Sequence, residues 1–65
     1  MAKYELGTKL MRESDEKVFE ITHIGKETTD PKMRMYQLSL VKNPEKGMPF
    51  MVMRRDFGMF YSVIN

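Results

Sequence analysis

The stretch MRMYQLSLV, residues 33–41, alternates along its whole length. Met33, Met35, Gln37, Ser39 and Val41 fall on one side, and Arg34, Tyr36, Leu38 and Leu40 on the other. Successive side chains of a strand point to opposite faces, so this pattern specifies a half-buried β-strand. Tyr36, Leu38 and Leu40 are expected to face a core, with Gln37 and Ser39 facing water. No stretch of the chain keeps a helical period. A chain whose clearest signal is one half-buried strand must supply further strands to complete a sheet.

Four others can be read. Val18–Ile24 is rich in β-branched and aromatic residues, a strand composition. Phe19 and Ile21 share one face, but Ile24 falls on the other, so a bulge near Thr22–His23 is needed to keep the apolar residues together. Lys26–Lys32 is polar and contains Asp30-Pro31, a loop signal. Asn43–Gly47, NPEKG, reads as a hairpin loop. Met48–Arg54 follows as a strand, with Phe50 and Val52 on one face and Met51 and Met53 on the other. Arg55–Gly58, RDFG, breaks the alternation and fits a single tight or 3₁₀ turn. Met59–Ile64 closes the chain as a last strand, and a first strand is expected over about Thr8–Arg12.

Length now limits the design. A chain of 65 residues has room for one domain, and it buries roughly 60% of the surface exposed when unfolded. It has no cysteine, so neither a disulfide nor a thiolate zinc site can hold it together. Its 42% apolar and 31% charged content matches an ordinary globular domain. There is no signal-peptide run and no stretch of about 18 apolar residues, so the expectation is a cytoplasmic protein without a membrane partner.

The order of elements resembles an SH3-like barrel over nearly the whole chain. In that comparison MRESDEKV is the first loop, GKETTDPKM the second and NPEKG the distal hairpin. RRDFG then holds the single 3₁₀ turn before the closing strand MFYSVI. The resemblance implies an all-β fold, a small five-stranded SH3-like barrel with a single 3₁₀ turn before the last strand, over residues 1–65 as one domain. Such barrels occur in peptide-binding, nucleic-acid-binding and ribosome-associated proteins, and in short phage or mobile-element proteins, so fold alone leaves function open. The chain has no tryptophan, and RESDEK contains no aromatic residue. Both absences argue against a proline-peptide groove. An aromatic cage for methyl-lysine would need Tyr4, Tyr36 and Tyr61 to converge.

Catalysis has no visible machinery. His23 is the only histidine and lacks a second imidazole or any thiolate as co-ligand. Glu13, Asp15 and Glu16 lack the ligand order and central glycine of an EF-hand. Ser14 and Ser39 have no triad context, and Gly7–Lys9 is too short for a phosphate loop. No enzyme activity, cofactor or metal is expected.

Two surfaces remain. Net charge is +2, split as −1 over residues 1–32 and +3 over residues 33–65. Arg54 and Arg55 adjoin Phe57, Phe60 and Tyr61, and Lys42 and Lys46 extend the positive charge. Cations beside stacking rings are how small barrels bind single-stranded nucleic acid. The plainer reading is that the phenylalanines are core and the arginines solvate a strand end.

Methionine both fills core gaps and builds adaptable binding surfaces. Phe19, Ile21, Ile24, Tyr36, Leu38, Leu40, Phe50, Val52, Phe60, Val63 and Ile64 already nearly fill a small core. Met33, Met35, Met51 and Met53 are then left for the outer face, where an exposed apolar patch marks an interface. The leading expectation is a non-catalytic protein-interaction module that dimerises or docks on a larger protein through these methionines. The alternative is a nucleic-acid-binding barrel using Lys42, Lys46, Arg54, Arg55, Phe57 and Tyr61.

Overall fold

The computed structural model describes residues 4–42 and 47–64. Five strands, β1 (Lys9–Arg12), β2 (Val18–Ile24), β3 (Met35–Leu40), β4 (Phe50–Met53) and β5 (Tyr61–Val63), form one antiparallel sheet in the order β4-β3-β2-β1-β5. The sheet curls into a half-barrel. β4 and β5 are its two edges, so the curl stops short of closure. A seven-residue α-helix, α1 (Arg54–Phe60), connects them.

Each strand follows from its own pattern. β2 covers the expected span and its register against β3 slips between Ile21 and His23, leaving Thr22 as the bulged residue. The slip lets Phe19 and Ile21 stay buried while Ile24 also packs on the core. The Thr22 hydroxyl lies 3.4 Å from both the Gln37 carbonyl and the Ser39 hydroxyl. On β3, Tyr36 and Leu38 are buried and Leu40 packs against them.

The β1–β2 loop is held by its own side chains. The Arg12 amide donates to the Lys17 carbonyl at 2.8 Å, and Glu16 takes a left-handed φ of 59°. Arg12 donates to both Asp15 oxygens, at 3.1 and 2.7 Å. The loop after β2 carries a 3₁₀ turn at Pro31–Met33, where the Asp30 side chain accepts from the Lys32 amide at 3.0 Å. Pro31 sits at its start, where a missing N–H costs nothing.

The helical break before the last strand is present but longer than the tight turn expected from RDFG, because the chain keeps coiling to Phe60. The 3₁₀ turn itself lies earlier, at Pro31–Met33. The longer helix starts β5 at Tyr61 and so sets which rings point inward. Leu10, Phe57 and Tyr61 are buried, whereas Phe60, Val63 and Ile64, expected in the core, are exposed. Phe57 is the aromatic hub. Its ring centroid lies 4.8 Å from Tyr4, 5.2 Å from Tyr36 and 5.8 Å from Tyr61.

Among the described residues, no helix is long and apolar enough to cross a membrane. No group of three or more His, Cys, Asp or Glu that could hold a metal occurs among them either.

Candidate protein-binding groove

The methionines are placed by the β3–β4 register. Met35 stands opposite Met53, and Gln37 opposite Met51. Tyr36 pairs with Val52, and both are core residues, so Met35, Met51 and Met53 share the outer face. Met33 does not join them. It ends the 3₁₀ turn, two residues before β3 begins, and is 51% exposed there.

Met35, Met51 and Met53 line an open groove of about 600 Å³. Its other wall comes from Arg12 at the end of β1, Glu13 and Ser14 of the β1–β2 loop, and Asp56, Phe60 and Tyr61. The groove thus runs along the unclosed side of the half-barrel. Met51 is 46% exposed and Phe60 53% exposed, which leaves an apolar strip with a charged rim. Glu13 accepts from the Ser62 hydroxyl at 2.9 Å and its amide donates to the Phe60 carbonyl at 2.9 Å, fixing that rim against β5. The Arg12 side-chain hydrogen bonds hold the Asp15 carboxyl at about 2, well below its ordinary 3.8, and the Lys17 amide adds to the effect.

The residues expected to bind nucleic acid are scattered instead. Phe57 is 1% exposed and Tyr61 is also buried, so neither offers a free ring face. The reason is α1, which turns Phe57 inward to the aromatic cluster. Arg54 and Arg55 open this helix rather than ending a strand. The Arg54 guanidinium lies over the Tyr4 ring, 5.4 Å from its centroid, while Arg55 is exposed. Lys42 is exposed and lines a second, larger groove of about 920 Å³ with Val18, Leu40, Met48 and Phe50. Lys46 lies outside the described residues. The three tyrosines do converge, but around Phe57 and with Tyr36 and Tyr61 buried, which leaves no open cage.

Phe60, which sequence reasoning assigned to the core, is instead exposed and lines the groove. Phe57 and Phe60 both lie on α1, whose seven residues are too few for a readable helical period.

The arrangement defines a small, mostly β domain with an apolar groove beside an open sheet edge. No known protein family, curated protein or solved structure matches the chain.

Proposed function

We propose that this chain is a non-catalytic protein-interaction module that uses its methionine-rich outer face. The observation that carries this reading is the shared face of Met35, Met51 and Met53, set by the β3–β4 register and continued by exposed Phe60. Flexible thioethers adapt to a partner's surface, and the apolar strip with its polar rim resembles the core and rim of an interface. The strand order and the helical break before β5 support reading the half-barrel as SH3-like. The nucleic-acid alternative keeps exposed cations at Lys42 and Arg55, but its rings Phe57 and Tyr61 are buried and Phe60 alone of that cluster is exposed.

The test compares the native chain with Met35→Lys/Met53→Glu as bait in affinity capture and in sedimentation. These changes place an opposite-charge pair across the strands and keep the backbone. Association is expected to be lost. A variant that retains every partner and the native sedimentation behaviour overturns the reading.

A further inference from the structure

Among the described residues β4 is a free edge, and the ladder fixes the direction of its backbone groups. The Arg54 amide donates to the Arg34 carbonyl at 2.9 Å, which extends the Met35–Met53 register by one pair. Antiparallel pairs alternate between hydrogen-bonded and non-hydrogen-bonded. Tyr36–Val52 and Leu38–Phe50 are therefore the bonded pairs, while the N–H and C=O of Met51 and the N–H of Met53 point away from β3. The opposite side of β3 agrees, since the Met35 carbonyl accepts from Gly25 of the β2 side at 2.8 Å.

Two groups on this edge are missing from the usual set. Met53 is the N-cap of α1, so its carbonyl takes the first helical hydrogen bond. Pro49 has a carbonyl but no N–H. A strand laid antiparallel with Met51 opposite Met51 brings Pro49 opposite Met53. The absent donor then faces the occupied acceptor, and every remaining group finds a partner. The two Met51 residues exchange two bonds, and each Met53 N–H reaches a Pro49 carbonyl.

The geometry points to a second copy of this chain as the occupant, paired β4 to β4 about a two-fold axis through Met51, in a continuous ten-stranded sheet. This deepens the interaction reading above and rests on it. A two-fold contact requires a self-complementary surface, and this donor and acceptor pattern supplies one. Phe50–Met53 itself carries no charge and no proline, two of the devices that protect an edge against pairing. The paired segment carries no charge, and Arg54 and Arg55 of each copy begin α1 beyond it, at opposite ends of the pairing, so no like charges meet. The β5 edge is a poorer candidate. It has three residues, and its Tyr61 N–H already donates to the Phe57 carbonyl.

Sedimentation over a concentration series is expected to show a monomer–dimer equilibrium. Met51→Pro removes an outward N–H together with the Met51 side chain, a change an edge strand tolerates, and should yield a monomer with near-native melting. If that variant does not fold, two cysteine variants decide, since the chain has no other thiol. Met51→Cys places Cα atoms about 5.5 Å apart across the axis, within disulfide reach. Met53→Cys places them roughly 13 Å apart along the strands, beyond reach. Oxidation should cross-link the first and not the second. A chain monomeric up to about 1 mM, a folded Met51→Pro that still dimerises, or equal cross-linking of both cysteine variants overturns the proposal. A monomeric chain whose partner capture is still abolished by Met35→Lys/Met53→Glu overturns self-pairing alone. Selective Met51→Cys cross-linking with capture unchanged overturns the methionine-face reading alone.

Discussion

Met35 and Met53 face each other across β3 and β4 as a non-hydrogen-bonded pair, the arrangement that brings side chains closest. Both are half-buried, and their outer face carries Met51 beside them. The pair therefore ties the outer surface of the sheet to the groove along its open edge.

That placement predicts a fold-neutral surface change. Met35→Lys/Met53→Glu should stay within about 1 kcal/mol of native stability, because an opposite-charge cross-strand pair replaces a modest apolar contact. Urea unfolding checks it. A loss of several kcal/mol would mean that the two methionines are core rather than surface.

Phe57 and Phe60 should behave oppositely although they are three residues apart. Phe57→Ala removes the hub of the aromatic cluster and should cost about 3–5 kcal/mol, enough to unfold a domain of this size. Phe60→Ala, on the exposed end of α1, should change stability by no more than about 0.5 kcal/mol. Circular dichroism melts of the two variants separate the cases.

Two glycines make a matching pair. A Cβ on Gly58 of α1 meets nothing within 4 Å, so Gly58→Ala should stabilise by about 0.5–1 kcal/mol through helix propensity. A Cβ on Gly25 would come within 3.0 Å of the Met35 carbonyl, a ladder atom that cannot withdraw. Gly25→Ala should therefore destabilise. Denaturation midpoints moving in the same direction would contradict this.

Asp15 gives a pH test. Its folded-state carboxyl titrates at about 2, below the ordinary 3.8, because Arg12 donates to both oxygens. The stabilisation is therefore complete above about pH 4 and fades as pH falls through 2. Its size is small because the pair is solvated. An NMR titration should place the Asp15 midpoint near 2, and Arg12→Ala should return it toward 3.8.

Much of the sheet was legible before any coordinates. Alternation over residues 35–40 identified Tyr36 and Leu38 as buried, and the change of apolar phase after Ile21 pointed to the bulge at Thr22. It also placed Met35, Met51 and Met53 on one outer face, since a period of two needs only neighbours to be read. Met33 was misplaced because alternation does not reveal where a strand begins, and Pro31 starts a 3₁₀ turn there.

What the residues alone determined is the identity and inner face of the central strands, because that information is local and repeats every two positions. Tertiary structure decided the rest. Whether Arg54–Phe60 coils as one tight turn or a full helix depends on the space between β4 and β5, and that choice sets which phenylalanine is buried. It also decided that the sheet stays open along β4, leaving the Met51 backbone without a partner among the described residues. An edge exists only relative to the strands that fail to reach it.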